Sequence, residues 1–204
     1  MMEFDHEPIP GLPGELPEGE RILWQGKPEA ALLARNVFKT RWVMGYFAVL
    51  MLVALAAGSI GGAVATFIVG LVAIGILKLM ARAVAKATIY TLTNRRVVLR
   101  IGVAIEKCIN LPLTMVGAAD LEDRGLGHGD IVLTLMGEKR LSWFLLWPHV
   151  SGSKNGNPRP ALRAVPEVEK VARLLADASA QLVPIERGAV ETAPTRGPLK
   201  EAHA

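Results

Sequence analysis

Hydrophobic and polar positions fall into three textures along this chain. From Trp42 to Leu77 about three dozen residues pass without a charge, and basic residues stand at both ends. A helix rises about 1.5 Å per residue, so one straight helix over the run would reach about 54 Å, against a hydrocarbon core of about 30 Å. Midway, Gly58-Ser59-Ile60-Gly61-Gly62 gathers small, helix-poor residues. The pattern predicts two tightly joined helices near 41–58 and 62–80, a transmembrane helical hairpin within 41–80. A soluble core rarely buries so long a charge-free stretch.

After Lys86 the period changes from helical to alternating. Ala87–Thr93 and Arg96–Ile101 are β-branched segments about a polar Asn94-Arg95 turn, which reads as a β-hairpin. Further strands are expected at Ala104–Leu111, Gly117–Leu121, Asp130–Leu135 and Arg140–Leu146, with turns at Asp123-Arg124-Gly125, Gly127-His128-Gly129 and Gly137-Glu138. Short strands at this spacing predict an antiparallel sandwich or partly open barrel. Residues 151–158 read as a turn-rich loop. Pro166 then opens a helix whose Val168, Val171, Leu174, Leu175 and Ala178 make one apolar face, suited to capping the sheet.

The remaining segments complete the division into parts. Residues 1–19 hold four prolines and three glycines and read as a flexible lead. Residues 20–40 supply a strand closed by Gly26-Lys27-Pro28 and a juxtamembrane helix. The β domain with its helix occupies 87–181, and the polar residues 186–204 read as a disordered tail. The architecture expected is therefore an α+β membrane protein.

Charge then orients it. Arg35, Lys39 and Arg41 precede the apolar run, Lys78, Arg82 and Lys86 follow it, and the central turn has none. Basic flanks favour the cytoplasmic side, and an even number of spans satisfies both at once. Both termini are expected in the cytoplasm of a bacterial inner membrane, with Trp42 and Tyr46 at its surface. The small residues Gly61, Gly62, Ala65, Gly70 and Gly75 suit close helix pairing within or between copies, so a homo-oligomer is one expectation. The net charge of +4 sits largely beside the membrane and suits lipid headgroups. No basic stretch is interleaved with exposed aromatics, so no nucleic-acid partner is expected. The lone Cys108 has no partner for an internal disulfide.

Enzyme signatures are missing: no GxGxxG after a strand, no GxSxG, no HExxH and no phosphate loop. Gly125–Gly129 lies between strands and opens no helix, so it reads as a sheet turn. Asp120, Glu122 and Asp123 read as a solvated edge. No catalytic, cofactor or metal site is predicted. Two surfaces are. Trp143, Phe144, Trp147 and His149 form an aromatic stretch suited to a partner or interface, and Arg95, Arg96 and Arg100 on one hairpin are candidates for lipid headgroups.

Three stretches carry a resemblance. Glu20-Arg21-Ile22-Leu23-Trp24-Gln25-Gly26-Lys27-Pro28, a membrane hairpin, and Ile89-Tyr90-Thr91-Leu92-Thr93-Asn94-Arg95-Arg96 together resemble the bacterial PH-like membrane family. With Asn110-Leu111-Pro112, Gly129–Leu135, Leu146-Trp147-Pro148-His149 and Pro160–Pro166, the chain is similar to the PuhB-type photosynthetic-complex assembly proteins of purple bacteria. The resemblance implies a PH-like β-sandwich capped by a C-terminal helix, anchored by two spans. It implies a non-enzymatic role in assembling the photosynthetic reaction centre and light-harvesting 1 complex, with their subunits as partners. The competing expectations are a general lipid-responsive PH-like scaffold, or a pigment carrier in which His128 or His149 ligates the magnesium of a bacteriochlorophyll.

Overall fold

The computed structural model describes residues 11–12, 14–125, 127–136, 141–154 and 157–182. A strand β1 (Ile22–Gly26) comes first, then a short helix α1 (Ala30–Asn36). Lys39 turns left-handed at φ 49°, which breaks the predicted juxtamembrane helix short of the apolar run. Helix α2 (Thr40–Ala56) therefore leaves at 54° to α1. Gly58, at φ 74°, reverses the chain, and the Ser59 hydroxyl accepts the Gly62 N–H at 3.1 Å to cap helix α3 (Ile60–Ala87).

The two helices run antiparallel. Phe47 faces Gly70 and Ala54 faces Gly62, so residues climbing one helix meet residues descending the other. A Cβ on Gly70 would lie 2.9 Å from Phe47, so glycine is required for this approach. Large apolar side chains on their outer faces, from Trp42 and Val49 to Ile68 and Leu79, stay exposed. Helix α3 is long and apolar enough to cross a membrane, and only 11% of its most apolar window is buried. Helix α2 has 17 residues, about 25 Å, which falls short of a hydrocarbon core on its own. Helix α3 also runs seven residues past the predicted end, because Lys78–Ala87 are helix formers whose Ala81 and Val84 pack against Leu33 and Ala34 of α1 and Ala164.

The β region makes two antiparallel four-stranded sheets. One orders β1 with β2 (Ile89–Thr93), β3 (Arg96–Ile101) and β4 (Lys107–Pro112). The other contains β5 (Val116–Asp123), β6 (His128–Leu135), β7 (Val150–Lys154) and β8 (Asn157–Pro166), ordered β5-β6-β8-β7. Tyr90, Leu92, Val97, Leu99, Ile131, Leu133 and Leu162 fill the space between them. Helix α5 (Val168–Leu182) closes the core with Val168, Val171, Leu175 and Ala178. Leu174 of the predicted face lies at its edge, half-buried.

Several expectations are corrected. The strand predicted at 104–111 begins at Lys107, since residues 102–106 form a turn. Gly102 makes that turn at φ 114°, where a Cβ would stand 2.0 Å from the Ile105 carbonyl oxygen. The strand predicted at 140–146 is instead a one-turn helix α4 (Trp143–Leu146), with residues 137–140 outside the described residues. The loop predicted at 151–158 is a strand hairpin. Its prolines hid β8, but Pro158 and Pro160 lie where β7 alone pairs with it, while β6 pairs from Ala161 onward. Each half of β8 therefore has an open edge on which a missing N–H costs nothing. Of the lead 1–19, Leu12 is 1% exposed and Gly11 packs on Ile89, so this part is docked. Residues 1–10 and the tail 186–204 lie outside the described residues.

Candidate functional site

Helix α4 and the residues after it separate what the aromatic stretch holds. Leu146 points inward and is fully buried. Trp143, Phe144 and Trp147 stay at the surface, Phe144 with 87% of its area exposed. Trp143 and Phe144 meet edge to face with ring centroids 5.7 Å apart. Trp147 meets Phe38, two residues before α2, in the same manner at 5.7 Å. A groove of about 600 Å³ joins Phe144 and Trp147 to the 102–106 turn, whose Val103 and Ile105 are 55% and 72% exposed. Sequence periodicity missed those two because a turn imposes no period. Their one signal was two β-branched residues in a turn that water would fill with polar ones.

His149 turns the other way. It is completely buried, so its expected place in a partner surface is corrected. Its Nδ1 lies 2.7 Å from the Tyr90 hydroxyl and its Nε2 3.1 Å from Thr88 Oγ1. The Tyr90 oxygen accepts the Arg163 backbone N–H at 3.0 Å, and Nδ1 is the acceptor within reach of its proton. The ring is then the Nε2–H tautomer, donating to Thr88. Burial first, and then the Arg163 charge, push its pKa down from 6.5 to about 3. Burial likewise raises the Tyr90 hydroxyl, with Asp130 adding to the effect, so it stays protonated. Both ring nitrogens are engaged, which removes His149 as a pigment ligand. His128 Nε2 lies 2.8 Å from a Glu29 carboxylate oxygen, joining β6 to the start of α1.

The network continues across the second sheet. Arg163 donates to Asp130 Oδ2 at 2.8 Å, Arg124 reaches the same oxygen at 3.0 Å, and the Ala164 N–H donates to Oδ1 at 2.8 Å. Ala164 is left-handed at φ 50°, and its carbonyl accepts the Glu29 N–H at 3.0 Å. Thr88, Tyr90, His149, Arg163 and Asp130 thus form a buried clasp from the end of α3 to the far sheet.

The arginine candidates do not make a headgroup site. Arg96 grips Glu20 through two bonds of 2.8 and 2.9 Å, and Arg100 pairs with Glu106. Arg95 is exposed at the β2–β3 turn. That turn follows the five residues of β2, about 17 Å of strand from the end of α3. Glu20 is desolvated, which opposes ionisation, but hydrogen bonds from Arg96 and Thr93 and the charges of Arg96 and Arg95 hold its carboxyl below the ordinary value. In the acidic edge, Asp120 pairs with Arg159 and Glu122 with Arg124. Arg35, Lys39, Arg41 and Lys86 beside the apolar run are exposed, and Lys78 and Arg82 line a cavity of about 430 Å³ with Glu29, Ala34 and Thr40. Among the described residues no three His, Cys, Asp or Glu side chains gather as a metal site.

The family profile "Bacterial PH domain" matches residues 43–179, which take in most of both long helices and all the strands except β1. The chain belongs to the bacterial PH domain family. An uncharacterized 23.7 kDa protein in the puhA 5′ region of Rhodobacter capsulatus is 42% identical over 187 residues, 87% of each chain. Among solved structures, a DUF1696 family protein with a pleckstrin-homology domain from Shewanella loihica PV-4 is 15% identical. It covers 45% of this chain and 71% of its own, at a TM-score of 0.31, a likeness too slight to carry argument.

Proposed function

We propose that this chain is a non-enzymatic, membrane-anchored assembly factor for the photosynthetic reaction centre and light-harvesting 1 complex of purple bacteria. The observation that carries the reading is the 42% identical relative of nearly the same length, named for its place in the puhA 5′ region. That neighbourhood agrees with the photosynthetic assembly proteins the sequence resembles. In this reading both α2 and α3 cross the inner membrane. Support comes from the charge-free run, from its basic ends and from the apolar outer faces of both helices. Both termini then lie in the cytoplasm. Anchoring the PH domain in its client's bilayer raises their effective concentration without any further contact.

The test is deletion of the gene in a phototrophic host, with reaction-centre absorbance measured against peripheral antenna. Loss of reaction centre with antenna retained is expected, and unchanged reaction centre with normal phototrophic growth refutes the assembly role. A lipid-responsive scaffold is the second reading, favoured by the Lys78–Arg82 cavity at the end of the apolar run. It predicts no pigment phenotype in the same deletion.

A further inference from the structure

We propose that the aromatic face of the PH domain is itself a membrane contact, in which Val103, Ile105, Trp143, Phe144 and Trp147 enter the interfacial layer beside the helical hairpin. This rests on the anchoring reading and adds to it a fixed posture, with the domain lying against the bilayer instead of projecting from it.

Height is the first argument. Trp147 meets Phe38 edge to face, and Phe38 stands two residues before α2 begins at Thr40. Thr40 in turn shares a cavity with Lys78 and Arg82, the first cations after the apolar run. The start of α2, the end of the charge-free part of α3 and the aromatic face are therefore linked at one level, where apolar surface gives way to charge. Continuity is the second argument. On α2, Trp42 and Tyr46 are 79% and 60% exposed, so exposed rings stand at the start of the helix as well as on the domain that Phe38 joins to it.

Chemistry is the third argument. Indole rings with an N–H at one edge partition to the headgroup boundary, and aliphatic side chains beside them reach the acyl region. Lys107 lines the same groove, supplying a cation that suits an anionic headgroup while its stem stays against apolar surface. Away from this side, the exposed large apolar residues described in the β domain are Leu121 and Met136, so apolar exposure is concentrated here and needs a covering phase. The bilayer supplied by the anchor is already at the right height.

The experiment uses the full chain in liposomes, carrying Trp24→Phe and Trp42→Phe so that Trp143 and Trp147 report. Expected are blue-shifted emission and stronger quenching by lipids brominated near the carbonyl region than by aqueous iodide. Adding Phe144→Asp and Ile105→Asp, both at exposed positions, should move the emission red and reverse the quenching order, with near-ultraviolet circular dichroism unchanged. Indoles open to iodide in the parent protein overturn the proposal and leave the face to a protein partner. Alkaline extraction separates the two levels. Protein kept in the pellet with iodide-accessible indoles sinks this inference alone, whereas release into the supernatant sinks the anchoring reading and this inference with it.

Discussion

Acid should loosen this protein through His149. In the native state the ring is fully buried, accepts from Tyr90 and donates to Thr88, and its pKa falls to about 3. In the unfolded chain it takes up a proton near its ordinary value of 6.5. Between those values the unfolded state binds one more proton, so this contribution is whole above about pH 6.5 and is lost as pH falls. Each pH unit inside the window removes about 1.4 kcal/mol, hence about 2 kcal/mol between pH 6 and pH 4.5. For a domain of this size that is a fall in Tm of roughly 10 °C. Glu20 acts only below its ordinary 4.5, which leaves the upper window to the imidazole. Thermal unfolding of the full chain in nanodiscs, followed by near-ultraviolet circular dichroism across pH 4.5–7.5, reads it. Both proteins compared carry His128→Gln to silence the other described ring, and one also carries His149→Gln. The amide can accept from Tyr90 and donate to Thr88 without titrating. It should lower Tm at pH 7.5 yet flatten the slope below pH 6.5. Equal slopes in the two proteins would refute the reasoning.

Three further outcomes are expected. Glu20→Gln strips a carboxylate that is 2% exposed and leaves Arg96 without its two charged bonds, costing about 2–3 kcal/mol in chemical denaturation at pH 7. Gly70→Val drives a methyl group into Phe47, where a Cβ already lies at 2.9 Å; a loss of about 1–3 kcal/mol is expected, while Gly45→Val and Gly75→Val, with open space around them, show no comparable loss. Leu12→Ala should cost about 2–4 kcal/mol because the side chain is 1% exposed; a change within error would show that the lead does not dock.

What the sequence made legible was whatever carried a period or a break. The hairpin strands about Asn94-Arg95 and the apolar face of α5 follow from alternation and from three- and four-residue spacing. The reversal at Gly58 follows from its cluster of small residues. The misses have physical reasons. β8 was hidden because Pro158 and Pro160 look like breakers until the sheet order shows that β6 does not reach them. Helix α4 was read as a strand because Trp143–Leu146 is one turn of bulky residues, too short to express either period. His149 looked like a surface group beside Trp147 and Pro148. Its burial depends on Thr88 and Tyr90, some sixty residues away, and no local pattern announces such a partner.

Those distant partners decide how the two long helices and the domain act together. Thr88 directly follows α3, and β2 begins at the next residue, Ile89, with Tyr90 its second residue. Were these the only links, the PH domain would hang from one extended residue. The clasp instead carries the connection through His149 and Arg163 to Asp130 in the second sheet. Helix α1 adds a separate apolar bond, with Leu33 and Ala34 against Ala81, Val84 and Ala164, and the Glu29 N–H bonded to Ala164. The second attachment meets the clasp at Ala164, which also bonds Asp130, and removes the hinge that a single link would leave. A domain held in that way keeps its exposed rings at one height relative to α2, the condition an interfacial contact requires. Loosening the clasp by acid or by His149→Gln should therefore weaken the seating of Trp143 and Trp147 in lipid, although neither perturbation touches the aromatic face.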